Sequence, residues 1–350
     1  AEVVAGRLVA TLSRPVQVAG REVVLAASAG IACAGPLTLP EDLLRDAEIA
    51  MYAAKRGGGS RWSALAPGQR EAALDRLDLT SDLRTALRNH ELVVHYQPIV
   101  ELDGGRIAGM EALVRWAHPR RGLLGPAEFV PIAEETGLIA PIGRTVLRLA
   151  CRQGRAWQLA HPSVPPIIMS VNLSGRQLQD PGLVDHVREA LEESGLPPAS
   201  LMLEITETTL MDESAATLRT LAGLRALGAR LAIDDFGTGY SSLGYLRRFP
   251  VDRLKIDRLF VDGLADGDMQ RPLMRAIIEL GQSLEGEPIA EGVEEPEQAE
   301  RLRQLGCRLA QGFLFARPGS PPQVEAAIRA HRAALHWGDE DREQVEAVAA

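Results

Sequence analysis

Residues Leu201 to Asp235 read "LMLEITETTLMDESAATLRTLAGLRALGARLAIDD". The opening "LMLEITE" is a short apolar run carrying two acids, Glu204 and Glu207. "ESAATLRTLAGLRALG" then spaces its apolar residues for one helix face and stops on glycine. "RLAIDD" is a second apolar run. The unit is strand, helix, strand, and it closes on Asp234 and Asp235 side by side. Neighbours on a regular strand point to opposite faces. Adjacent carboxylates also repel, and each loses its hydration at high cost on burial. Both can face one site only if the strand ends there, with Gly237 and Gly239 letting the backbone turn away.

The same rhythm runs outward in both directions from residue 91. Strand candidates are "LVVHYQPIV", "RIAGMEALVRW", "PIIMSVNLS", "LMLEITE", "RLAIDD", "RLKID", "EPIAEGV" and "RLAQGFLF". Amphipathic runs such as "GRTVLRLACRQGRAWQ", "GLVDHVREALEESG", "MQRPLMRAIIELGQSLEG" and "PEQAERLRQLG" separate them. Eight strands alternating with helices over about 250 residues predict a (β/α)8 barrel across residues 81–335. An open doubly wound sheet is disfavoured because no GxGxxG turn follows the first strand. Residues 1–62 read as a small α/β piece, with a strand over Arg21–Ala34 and a helix over Glu41–Gly59. Residues 63–80 read as a linker turning helical. A second short helix, capped by Thr80 or Ser81, leads into the barrel. Residues 336–350 form an acidic tail.

The chain has 350 residues and a net charge of -9, which argues against a nucleic-acid polymer as partner but not against a small phosphorylated ligand beside a metal. Its three cysteines (Cys33, Cys151, Cys307) have no short spacing, so neither a disulfide framework nor a zinc site is expected, and a reducing compartment is. No apolar run is long enough to span a bilayer. The chain opens on Ala1 without an initiator Met, and reads as part of a longer protein. The expected location is the cytoplasm, with any sensor or inner-membrane tether lying upstream.

Chemistry in such a barrel gathers at the C-terminal mouths of the strands. The polar residues expected there are Glu111 and Arg115 on strand two, Asn172 on strand three, and Glu204 and Glu207 on strand four. Strand five adds Asp234 and Asp235, strand six Lys255, strand seven Glu291 and strand eight Gln311. Five of these carboxylates, Glu111, Glu204, Asp234, Asp235 and Glu291, around one mouth would be unstable without cations. An oxygen-rich set with one amide suits Mg2+ or Mn2+. Histidine is missing from these positions, His95 being read as part of the barrel wall. Paired aspartates suit two metals about 3.5–4 Å apart, which would activate water for in-line displacement at phosphorus. Lys255 is expected to stay protonated and either hold that water or neutralise the phosphorane; a structural ion pair with a neighbouring carboxylate such as Asp257 is the alternative.

"YQPIV", "MEALVRW", "FVPIAEETGLI", "VNLS", "LEITE", "DDFGTGYSSLGYLRRFPVDRLKIDRLFV", "AEGVE" and "QGFLFARP" together resemble the EAL domain, the cyclic di-GMP phosphodiesterases named for the residues that stand here as Glu111-Ala112-Leu113. The resemblance runs from about Asp82 to Pro318, in order and with normal spacing. It implies a barrel whose first strand is antiparallel, and hydrolysis of cyclic di-GMP to linear pGpG with Mg2+ or Mn2+ and inhibition by Ca2+. Glu111, Asn172, Glu204 and Asp234 would hold the first metal, and Asp234, Asp235 and Glu291 the second. Lys255 would orient the nucleophilic water, with Gln311 supporting the site and Gln97 and Arg115 contacting the ligand. Glu207 would brace the loop after strand five. That loop, "DDFGTGYSSLGYL", would also carry a homodimer contact. The alternative is a non-catalytic cyclic di-GMP receptor, disfavoured because every catalytic position is filled by the family's residue. "ASAGIA" and "EDLLRDAEIAMYAAKRGGGSRW" resemble the closing part of a GGDEF (diguanylate cyclase) domain whose own signature is absent from the chain.

Overall fold

The computed structural model describes residues 1–18, 21–35, 39–65, 69–162, 165–211, 214–237, 251–264, 270–283 and 286–326. The chain divides into two compact units, Ala1–Leu83 and Arg84–Ala350.

The second unit is the barrel. Its strands are β1 (Leu92–Glu101), β2 (Ile107–His118), β3 (Ile168–Leu173), β4 (Leu201–Thr206), β5 (Arg230–Phe236), β6 (Arg253–Ile256), β7 (Glu287–Ala290) and β8 (Leu309–Ala310). From β2 to β8 each pairs in parallel with the next, and β1 closes the circle antiparallel to both β2 and β8. The expected barrel with its reversed first strand is therefore present. Two-residue alternation sorts the side chains. On β1, Leu92, Val94 and Tyr96 are buried under the outer helices, and Tyr96 meets Trp157 edge-on at 4.8 Å. Trp157 belongs to the helix Ile139–Ala160, whose buried Ile139, Ile142, Val146, Ala150 and Trp157 follow helical spacing. Ile99, Ala108, Ile289 and Leu309 form an apolar cluster of their own. They lie two or three residues along the chain from Gln97, Glu111, Glu291 and Gln311, forming an apolar layer beneath the polar side chains of the mouth.

Two expectations on local structure are corrected. The helix before the barrel is continuous from Gln69 to Arg88, so Thr80 and Ser81 are not its cap. Thr80 Oγ1 instead donates to Arg76 O at 2.7 Å, the usual way a mid-helix threonine satisfies its hydroxyl. In the first unit the single strand expected over Arg21–Ala34 is two. Arg21–Val23 pairs with Val16–Val18, while Ala29–Ile31 pairs in parallel with Trp62–Ala64, so the two halves answer to different partners. The helix expected over Glu41–Gly59 runs from Pro40 to Arg56, after an earlier helix at Glu2–Leu12, and a Cβ on Gly30 would collide with Ala47 O, so only glycine lets strand and helix meet this closely. Among the described residues no helix is long and apolar enough to cross a membrane.

Candidate active site

Lys255 organises the mouth. It sits in the middle of β6 and is 1% exposed, facing inward between outward-packed Leu254 and Ile256. Its Nζ lies 2.6 Å from Glu291, 2.8 Å from Glu204, 3.1 Å from Asp234 and 3.6 Å from Glu111. Burial alone would depress the lysine, but these four acids raise its pKa well above the ordinary value. The proton stays on. Asp257 does not pair with it: that carboxylate caps the next helix by accepting from Leu259 N at 2.8 Å.

Glu111 stands opposite Gln97 across the β1–β2 ladder. Asn172 Nδ2 donates to Glu111 Oε1 at 2.7 Å, and Gln311 Nε2 donates to Glu111 Oε2 at 2.6 Å. Burial pushes the Glu111 carboxyl up, and the Lys255 charge with these two donors more than reverses that, leaving it below the usual range. Gln311 also donates to Gln97 Oε1 at 3.0 Å, and Gln97 Nε2 donates to Ala316 O at 3.0 Å. Both ends of Gln97 are thus engaged within the protein, where it braces Gln311 and through it Glu111. Arg115 lies two pleats further along β2, its Nη1 donating to Val114 O. His95 is on the same inward face of β1 as Gln97, hydrogen-bonded to the Pro318 backbone; burial and the Arg115 charge lower its pKa.

The adjacent aspartates are explained by a register shift. β5 does not end on Asp234-Asp235 as the sequence suggested but runs on to Phe236. Ile233 pairs with Leu254 and Phe236 with Ile256, so Asp234 and Asp235 together stand opposite the single residue Lys255. This is a β-bulge, and Asp235 adopts the left-handed φ of +55° that makes the extra residue fit. Asp and Asn tolerate that conformation better than other L-residues. Asp235 N donates to Asp234 Oδ1 at 3.1 Å. Gly237 follows with φ +97°, and its N–H is held at 3.0 Å by Glu207 Oε2, the contact expected of a loop brace. Residues 238–250, which carry Gly239 and the expected dimer contact, lie outside the described residues, as does the acidic tail.

The site suits cations on its own terms. One oxygen each from Asp234, Asp235 and Glu291 lie within 4.8 Å of one another. Glu204 Oε1 is buried and accepts no hydrogen bond among the described residues, leaving a lone pair for a cation. Burial, with repulsion from Glu111 and Asp234, raises the Glu204 pKa well above the ordinary value despite Lys255. Burial likewise pushes Glu291 up to about 8, and Asp235 is raised by burial and by Asp234. An all-oxygen donor set of this kind is hard-cation chemistry. Ser170, not singled out from sequence, is also inside: it registers with Glu111, and its buried Oγ has no partner among the described residues. Its place two residues before Asn172, on the same strand face, was the available signal.

Residues 80–318 match the EAL domain family. The chain belongs to the EAL family. Residues 1–61 match the diguanylate cyclase GGDEF domain, so the EAL barrel follows a GGDEF fragment. Among curated relatives, the chain is 44% identical over 329 residues to the bifunctional diguanylate cyclase/cyclic di-GMP phosphodiesterase MucR of Pseudomonas aeruginosa, covering 94% of this chain and 48% of MucR. It is 37% identical over 323 residues to the cyclic di-GMP phosphodiesterase PdeR of Escherichia coli, covering 91% of this chain and 48% of PdeR. The chain therefore spans about half the length of these relatives. Among solved structures, the PaMucR phosphodiesterase in its c-di-GMP complex shares 47% identity with a TM-score of 0.67, covering 71% of this chain and 99% of that one. The FimX EAL domain from Pseudomonas aeruginosa bound to c-di-GMP shares 28% identity with a TM-score of 0.62, covering 69% of this chain and 96% of that one.

Proposed function

We propose that this EAL barrel hydrolyses one phosphodiester of cyclic di-GMP to linear pGpG, using two divalent cations, Mg2+ or Mn2+, and that Ca2+ inhibits it. The observation that carries the reading is the buried Lys255 ringed by Glu111, Glu204, Asp234 and Glu291, with a second aspartate bulged in beside the first. Relatives named as cyclic di-GMP phosphodiesterases, and a 47%-identical phosphodiesterase solved with c-di-GMP, support the choice of substrate.

Glu111, Asn172, Glu204 and Asp234 would hold one cation, and Asp234, Asp235 and Glu291 the other. Asn172 spends its amide N–H on Glu111, so its carbonyl oxygen is the atom it offers. Bound there, the pair would lower the pKa of water and stabilise the departing oxygen of an in-line displacement. Lys255 keeps its proton and hence its donors, and it would orient the nucleophilic water. Gln311 and Gln97 hold Glu111 in its orientation. Arg115, at the outer rim of β2, is the side chain for the ligand's phosphate, a role its planar donors suit. The chain acts as a homodimer through the loop after β5, in the cytoplasm.

Incubation with cyclic di-GMP and Mn2+, followed by chromatography of the products, tests this reading. Appearance of pGpG is expected. Binding without turnover would replace the enzyme by a receptor. Glu111→Ala should abolish product formation through loss of the first cation, and an unchanged rate would remove Glu111 from the ligand set.

A further inference from the structure

The five-residue helix Arg258–Asp262 begins three residues after Lys255 and touches two of the turns that form the mouth. On one side it meets the turn after β5. A Cβ on Gly237 would lie 2.6 and 2.7 Å from Phe260 Cε2 and Cζ, so the ring edge packs directly on that backbone. On the other side it meets the turn after β7. Gly292 has φ +69°, and a Cβ there would lie 2.5 to 2.9 Å from Arg258 Cγ, Cβ and Cδ. Arg258 Nη1 then reaches Glu294 at 2.7 Å, while its Nε donates to Asp262 at 3.0 Å. Those ion pairs are half-exposed and contribute little by themselves. The contact of weight is the aliphatic stem against Gly292. The floor of the same turn is tied to β6, since Glu291 N donates to Ile256 O at 3.0 Å.

Asp235 stands two residues before Gly237, and Glu291 immediately precedes Gly292. Both outer carboxylates of the acidic cluster thus hang from turns that rest on opposite sides of one short helix. We propose that Phe260 and Arg258 are positioning residues that set the separation of the Asp235 and Glu291 carboxylates, and so control the cation held by those two with Asp234 and not its neighbour. The proposal rests on the two-cation reading above. It also makes the helix a mechanical link: a shift of the turn after β5 is passed through Phe260 and Arg258 to Glu291. Glu207 grips Gly237 through its N–H and Phe260 through its packing, so the two hold that turn independently.

The test counts Mn2+ ions on the full chain, stripped of metal, by titration calorimetry without substrate. The wild type should take up two. Phe260→Ala and Arg258→Ala should each weaken one site by about tenfold or more, the usual effect of removing an outer support of a metal ligand, and leave the other unchanged. Phe260→Leu and Arg258→Lys, which keep most of the packing, should restore the second site. Arg258 is half-exposed, so Arg258→Ala reports on folded protein even if Phe260→Ala does not fold. A wild type that takes up fewer than two ions would overturn the two-cation reading itself. Two ions in the wild type, with both sites unaltered or both equally weakened in the variants, would overturn the positioning role alone.

Discussion

Lys255 is where the residue-scale energetics concentrate. A lone ammonium at 1% exposure is costly, and four carboxylates within 3.6 Å are costlier still without it. Each makes the other tolerable, so removing the lysine strands like charges in a dry site. Lys255→Met should destabilise the metal-free protein by about 3–5 kcal/mol, the range for breaking a buried pair from one side. Denaturant unfolding with and without Mn2+ measures this, and added metal should recover part of the loss. Turnover should remain absent even with metal restored, since the donor to the attacking water is gone. A Lys255→Met protein that hydrolyses cyclic di-GMP normally would remove that role.

At the scale of the element, the start of the turn after β5 is gripped among the described residues by Glu207 Oε2 on Gly237 N and by the Phe260 ring. Glu207→Gln keeps an oxygen there and should preserve most activity; Glu207→Ala leaves the Gly237 N–H without it and should lower kcat more than it changes KM, as steady-state kinetics would show. Equal effects of the two variants would argue that the charge, and not the brace, is what counts. The elements were largely legible from apolar runs alternating with glycine-terminated amphipathic stretches, and the site from acids set in otherwise apolar strands. What alternation could not reveal was the bulge. "AIDDF" carries only the conflict of two adjacent acids, and its resolution depends on the partner register of Leu254 and Ile256. Thr80 misled for a related reason: a hydroxyl that caps a helix can equally turn back onto the carbonyl four residues earlier. Phe260 and Arg258 gave no sequence signal, because their partners are the backbones of glycines distant in the chain.

For the whole molecule, the acid-lined mouth ties folding stability to pH and metal. Glu291 is pushed from 4.5 up to about 8, chiefly by burial, with repulsion from Asp234 and Glu111 working against the attraction of Lys255. The folded, metal-free protein therefore keeps a proton that the unfolded chain releases near 4.5. Stability without metal should fall as pH rises between those two values and level off above about 8, since the native state binds the extra proton throughout that window. A cation requires the ionised carboxylate, so its stabilisation should grow over the same range. Melting curves in EDTA and in Mg2+ should diverge as pH increases. Parallel curves would mean that Glu291 takes no part in holding the ion.

The bulge at Asp234–Asp235 also separates what the fold needs from what the chemistry needs. Because Ile233 and Phe236 already align with Leu254 and Ile256, the strand requires only one residue between them, and the second aspartate is an insertion from the viewpoint of the barrel. Deleting Asp235 outright would leave Phe236 in its outward core position and convert β5 to a regular strand, without the left-handed residue or its like-charged neighbour. The deletion should give a protein that melts, metal-free, no lower than the parent yet has lost turnover. On that outcome a single codon would separate a working hydrolase from an equally stable barrel, and activity would be lost without loss of structure.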